Sequence, residues 1–226
     1  MNKRAGNKGK SKSLADYAYQ HIRADIMQGF LKPGDKLRLE NLCERYEIGM
    51  SPLREALSRL CGDALVVNES QRGFWVATLS VDELEDIVKL TILLGEEALR
   101  RSLENGDDAW EERLTQAFDE LKDIEERYDI GNMDPEIWGP ANSRFHEALG
   151  GANDSPWLTK MLNMLYQQSD RYRMIAQVTT QIDSDTHEEH LAMYEAAMSR
   201  NTLKLCRISE QHQMHLVDNV RQILGK

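Results

Sequence analysis

The chain has 226 residues, with 28 Lys/Arg against 38 Asp/Glu and a formal net charge of −10. That length suits one large domain or two modest ones, each able to bury a core. No run of about 18 apolar residues occurs, so no membrane-spanning helix is expected.

The charge is divided unevenly. Residues 1–80 hold 13 Lys/Arg against 9 Asp/Glu, and residues 81–226 hold 15 against 29. A mildly basic front joined to a strongly acidic rear suggests two domains, of which only the front meets nucleic acid. The first residues, MNKRAGNKGKSKS, are basic but no apolar stretch follows, so they do not form a secretory signal. A disordered basic tail is expected over residues 1–12. The three cysteines, Cys43, Cys61 and Cys206, are odd in number and form no CxxC. They read as small buried apolar residues in a reducing, cytoplasmic protein.

In chain order, residues 13–29 carry Leu14, Tyr17, Ala18, Ile22, Ile26 and Met27 at helical spacing, and Gly29 with Pro33-Gly34 ends the run. A short second helix fits Leu39 to Tyr46, with Leu39, Leu42 and Cys43 inward. A third is predicted from Ser51 as N-cap, with Pro52 at the first helical position. Its inward stripe is Leu53, Ala56, Leu57 and Leu60. Arg54 and Ser58 share another face near Ser51, flanked by Glu55 and Arg59. Two β-prone runs, ALVVNE and GFWVATL, enclose the turn Ser70-Gln71-Arg72-Gly73. Three helices and a hairpin make a winged helix-turn-helix spanning residues 13–79. In such a module the third helix enters the major groove, and the wing brings Arg72 to the backbone or minor groove.

The rear, residues 80–226, shows no strand-like alternation. Ser80-Val81-Asp82-Glu83 is a capping-box pattern opening a helix over about 81–104. Further helical stretches fall near 108–128, 135–149, 155–177, 183–199 and 202–223, an all-α bundle. Five of the six histidines lie on these helices. Asn142 and His146 are four apart and share a face. His190 and His212 lie on successive helices, so an amide and three imidazoles from three helices suit one divalent metal. Taken one at a time, each reads as a surface or core histidine at a helix end. The HEEH run at 187–190 lacks the spacing of a zincin motif.

The stretch from Tyr19 to Ser80 resembles the DNA-binding domain of GntR-family bacterial regulators. The marks are Ile26, Gly29, Pro33-Gly34-x-x-Leu37, Leu42, the block Pro52-Leu53-Arg54-Glu55-Ala56-Leu57, Leu60, Gly73 and Val76. The resemblance implies DNA contacts at Arg38, Ser51, Arg54, Ser58, Arg59, Arg72 and Gly73. Gly49-Met50-Ser51 stands where the family usually carries Ser-Arg-Thr, and Glu40 replaces a common arginine, so the operator sequence does not carry over. The rear resembles the FCD effector domain of the FadR subfamily, by Phe145-His146, by His190 after two glutamates and by His212. The Asp-Arg-Tyr-Arg run at 170–173 is similar to that of carbon-starvation-type repressors. The resemblance implies a divalent transition metal of the Zn, Ni or Mn class on Asn142, His146, His190 and His212. Asn142 replaces the usual aspartate. His187 and His215 are outer partners or alternates. Arg171 and Arg173 are implied to hold a small organic acid by bidentate hydrogen bonding. A family arginine and glutamate appear as Thr91 and Gly95.

The expected protein is a mainly α, homodimeric, ligand-responsive regulator, a repressor, that binds an inverted repeat in double-stranded DNA. Two alternatives stand beside it: a regulator that senses the metal ion itself, and a metal-dependent enzyme with Asp170, Glu188 or Glu189 as base.

Overall fold

The computed structural model describes residues 13–127, 134–179 and 184–224, without the side chains of 135, 136, 174–179, 184 and 185. The expected tail over residues 1–12 lies outside the described residues. The chain divides into two compact units at Thr78 and Leu79.

The first unit opens with α1, Leu14–Met27. Ser13 and Asp16 cap it reciprocally: the Asp16 N–H donates to Ser13 Oγ at 3.0 Å, and the Ser13 N–H donates to Asp16 Oδ2 at 3.2 Å. After β1, Lys36–Leu37, and α2, Leu39–Tyr46, comes α3, Met50–Gly62. Leu42 and Tyr46 are the buried residues of α2, whereas Leu39 and Cys43 pack at its margin, half-buried. The apolar faces of all three helices meet, with Ala18, Ile22, Ile26, Leu53, Leu57 and Leu60 forming the centre of one core.

The start of α3 differs from expectation. Gly49 is its N-cap, without a side-chain bond, and Met50 is the first helical residue. Glu47, at φ 55, closes α2 in the left-handed region, and the buried Ile48 then anchors the chain. Helix therefore resumes two residues earlier than the Ser51-Pro52 pair implies. Pro52 becomes the third helical residue, where an N–H would still lack an intrahelical partner. Arg54 is the fifth.

The wing is β2, Val66–Glu69, paired antiparallel with β3, Gly73–Val76. Gln71 at φ 66 and Gly73 at φ 97 supply the left-handed backbone of the tip. The sheet has a third strand that the pattern did not show: β1 pairs Lys36 with Trp75 and Leu37 with Phe74, in the order β1-β3-β2. Two residues carry no periodicity, and their partner lies far away in sequence.

The second unit is all α: α4 Val81–Asn105, α5 Asp108–Arg127, α6 Pro135–Leu149, α7 Pro156–Thr179, α8 Ser184–Met198 and α9 Thr202–Leu224. One core gathers Trp110, Phe118, Phe145 and Met193. A smaller one joins Leu84 and Val88 to Tyr172, Val217 and Val220. At the head of α4, Ser80 Oγ accepts from the Glu83 N–H at 3.0 Å. The return half of the expected capping box is taken over by Tyr172. Its hydroxyl donates to Glu83 and accepts from the Ser80 N–H at 3.4 Å.

At the other end of α4, Arg200 covers helix carbonyls that lack partners. It donates to Gly106 O at 2.9 Å and to Leu103 O at 3.3 Å, with its guanidinium 4.7 Å from the Trp110 ring centre. A Cβ on Gly106 would lie 2.4 Å from Trp110 and 2.6 Å from Ser102 O. Gly106→Ala is expected to destabilise the bundle by about 1–3 kcal/mol through overpacking, read as a lower urea midpoint with unchanged slope.

Candidate functional site

Two constellations stand out, one in each unit. In the bundle, α6 presents Asn142 and His146 one turn apart, α8 presents His190, and α9 presents His212. The imidazole centres lie 5.5 Å (His146–His190), 5.1 Å (His146–His212) and 4.9 Å (His190–His212) apart. One nitrogen from each falls within 4.8 Å of the others. Metal–nitrogen bonds of about 2.1 Å close such a triangle with a small inward shift.

The polar groups fit a metal. Asn142 Oδ1, His146 Nε2 and His190 Nε2 are buried without a hydrogen-bond partner. Buried polar groups are seldom left so, and a cation between the three histidines would answer the two imidazole nitrogens. Burial, helped by the neighbouring imidazoles, holds His146 well below its ordinary pKa. Burial likewise lowers His212 to about 4, against the Glu189 carboxylate that favours its charged form. Both rings are thus neutral at pH 7 and offer lone pairs.

Two glutamates orient the rings: Glu125, which no sequence signal above assigns to the site, and Glu189, named above only as a candidate base of the enzyme alternative. His190 Nδ1 bonds Glu125 Oε1 at 2.8 Å, and His212 Nδ1 bonds Glu189 Oε2 at 2.7 Å. Burial pushes Glu125 up, yet hydrogen bonds from His190, His187 and Trp138 outweigh it and leave its pKa below the ordinary range. An ionised carboxylate only accepts, so Nδ1 carries the proton and Nε2 faces the metal position. His187 and His215 bond the second oxygens of the same carboxylates, each at 2.9 Å, and so stand behind the trio. The signal for Glu125 was its place on the α5 stripe, one turn after the buried Leu121 and two turns after Phe118. Glu125→Gln is expected to lower zinc affinity about 10- to 100-fold while all three ligands remain, measured by competition with a chelating dye.

A pocket of about 80 Å³ opens beside His146 and Asn142, with Tyr166, Asp170 and Arg173 of α7 across from them. Arg173 is largely buried and bonds Asp170 at 3.1 Å. Arg171, paired with it in the sequence reading, does not line this pocket. Two residues along a helix turn the side chain by roughly 200°, and Arg171 is buried elsewhere, donating to Gln168 at 3.3 Å. Thr91 is buried and donates to Ile87 O at 2.8 Å, away from the pocket.

In the first unit, Ser51, Arg54 and Ser58 lie exposed along one face of α3. Arg54 forms no hydrogen bond or ion pair with any described residue, so its guanidinium is available. Arg59 is committed elsewhere. It bonds Asp16 at 2.7 Å, stacks 4.4 Å from the Tyr19 ring centre and so ties α3 to α1. That bond holds the Asp16 carboxyl down at about 2. Arg38 is exposed at the N-cap of α2. At the wing, Arg72 pairs with Glu69 at 2.9 Å and stays largely exposed beside Gly73.

A winged helix with an open basic face, joined to a helical bundle enclosing three convergent histidines, defines a DNA-binding regulator with a built-in sensor domain. Comparison with known proteins supplies the family. Residues 14–76 match the model described as bacterial regulatory proteins, gntR family, and residues 86–215 match the FCD domain. The chain belongs to the GntR family of bacterial transcriptional regulators and carries an FCD domain. It is 37% identical over 215 residues to the uncharacterized HTH-type transcriptional regulator BphR of Paraburkholderia xenovorans, covering 93% of this chain and 86% of that one. It is 28% identical over 211 residues to the HTH-type transcriptional repressor GlaR of Escherichia coli, covering 92% and 96%. The fold matches E. coli McbR/YncC with a TM-score of 0.73 at 20% identity, over 94% and 99% of the two chains. Membership makes the chain a regulator of transcription and sets the enzyme alternative aside. No helix among the described residues is long and apolar enough to cross a membrane.

Proposed function

We propose that this chain is a FadR-type repressor that binds its operator as a homodimer and releases it when a small organic acid binds beside a divalent metal. The observation that carries the reading is the histidine trio, whose ligand atoms lie within 4.8 Å of one another, with His146 Nε2 and His190 Nε2 buried and unpartnered, next to a pocket lined by Asn142 and Arg173. Asn142, His146, His190 and His212 would hold the metal, of the Zn, Ni or Mn class. The neutral Asn142 would bind it less strongly than a carboxylate. The metal would supply a Lewis-acid contact for a carboxylate. Arg173 would give that carboxylate a second, hydrogen-bonded contact. Asp170 and Glu147 border the same pocket, so an anion enters only against a metal charge that outweighs theirs.

Residues 13–79 would read DNA and residues 80–226 would bind the effector and pair two chains on an inverted repeat in the cytoplasm. On the DNA side, Arg54, Ser51 and Ser58 meet the major groove, Arg38 the phosphates, and Arg72 with Gly73 the wing contact. Repression agrees with the relative GlaR, a repressor by name. A route from pocket to linker exists on α7. Its Arg173 faces the effector, while its Tyr172 grips Ser80 and Glu83 where α4 leaves the linker. An effector that prefers one setting of α7 biases the head of α4 through that grip.

The test is operator binding by fluorescence anisotropy at fixed salt, with DNA from upstream of the chain's own gene. Zinc alone and zinc with a panel of short carboxylates are compared. The reading expects a loss of at least about tenfold in affinity, roughly 1.4 kcal/mol, only with a carboxylate present. Equal release by zinc alone would make the ion the effector, and no response to either sinks the reading.

A further inference from the structure

We infer that the effector carries an apolar tail, and that Gly95 sets how long this tail can be. The inference rests on the proposal that the histidine trio and Arg173 receive a carboxylate head. A second cavity, of about 130 Å³, adjoins the first, and the two share His146, Glu147, Asn163 and Tyr166 as common walls. Beyond those walls the characters differ. The first continues to Asp170 and Arg173, the second to Ala98 and Leu99 of α4 and Leu162 of α7.

Beyond the shared walls, the polar groups around Asn153 are already matched to one another. Asn153 Nδ2 donates to Gly150 O at 2.7 Å and to Thr159 Oγ1 at 2.9 Å, and its Oδ1 accepts from the Ser155 N–H at 2.8 Å. A ligand therefore meets mostly carbon there, next to a head-group site that is polar. Such a pair of compartments suits an amphiphile rather than a compact polyacid.

Gly95 is what keeps the second compartment open. It lies in the interior of the 25-residue α4, where glycine costs about 1 kcal/mol of helix stability relative to alanine. No positive φ requires it. No neighbour crowds it either, since a Cβ built there meets nothing within 4 Å. Gly106, in contrast, is forced by Trp110. What Gly95 provides is the missing side chain itself, a free volume facing Ala98 and Leu99 within the cavity.

The experiment uses the zinc-loaded full chain and the acetate, butyrate, hexanoate series, with affinities from calorimetry. In the wild type, affinity is expected to rise about fourfold for each added methylene until the cavity is filled. In Gly95→Leu, acetate binds as in the wild type and hexanoate loses at least about tenfold, as its tail meets the new side chain. Gly95→Ala, the smaller filling, falls between the two. Melting temperature and zinc stoichiometry confirm that each variant is folded and loaded. A wild type that binds acetate and hexanoate equally overturns the tail compartment and leaves the head-group reading standing, as does a Gly95→Leu variant that still prefers hexanoate. Failure of every acid, acetate included, to bind the zinc-loaded wild type overturns the head-group reading and this inference with it.

Discussion

His146→Ala is expected to cut zinc affinity by more than about 100-fold, beyond the cost of losing an outer hydrogen-bond partner, while leaving a folded bundle. His146 is the informative ligand to remove. Its Nε2 is buried with no hydrogen bond, so alanine takes away an unsatisfied polar atom and leaves no carboxylate stranded. Removing His190 would strip a partner from the buried Glu125 and mix folding with metal binding. Zinc content after dialysis, and titration against a chelating dye, separate the outcomes. Unchanged stoichiometry in His146→Ala would return the three histidines to core packing.

The metal-free protein adds a pH signature. His212 titrates near 6.5 in the unfolded chain and at about 4 in the fold, because burial disfavours its charged form. Between those values the unfolded chain binds the extra proton, so stability present above pH 6.5 is lost as the pH falls toward 4. The loss for this one group is on the order of 3 kcal/mol. Urea midpoints of the metal-free protein should therefore drop between pH 7 and pH 5.

Arg54→Ala is expected to weaken operator binding by about 1–3 kcal/mol, roughly 5- to 150-fold at fixed salt, with the melting temperature unchanged. The guanidinium makes no hydrogen bond or ion pair with any described residue, so its loss should leave the unit's packing alone. Arg59→Ala supplies the contrast. It sits one turn further along α3, yet its bonds are to Asp16 and Tyr19. Its replacement should loosen α1 against α3 and alter DNA affinity little. Anisotropy titrations of both variants, with circular dichroism melts, decide between the roles. Wild-type operator affinity in Arg54→Ala would mean that another face of the unit meets DNA.

The two arginines of α3 show where sequence reading ran short. Spacing sets both beside one exposed face, and the family resemblance implies both as DNA contacts. Which of them is free depends on Asp16, 43 residues away, brought there by the packing of α1 on α3. Arg171 and Arg173 repeat the lesson within one helix. Counting 100° per residue separates their faces, but only the positions of α4 and α6 show which face borders the pocket. Glu125 was readable as a carboxylate on an apolar stripe. Its two histidine partners, 62 and 65 residues on, were not.

Local pattern along the chain was enough for the two-part division, for the helices (the start of α3 excepted), for the wing hairpin and for the histidines as a group. These rest on local physics: apolar residues at helical period, Ser80 at the start of α4, Gly29 beyond the end of α1, and a charge balance that changes sign along the chain. Tertiary structure alone decided which polar atoms were left without partners. It also decided which arginine was free, how Tyr172 replaced half of a capping box, and that Gly95 faces a cavity while Gly106 is crowded. Each of these depends on distances between side chains far apart in the chain. Such distances are set when the apolar faces pack, and no local pattern carries them.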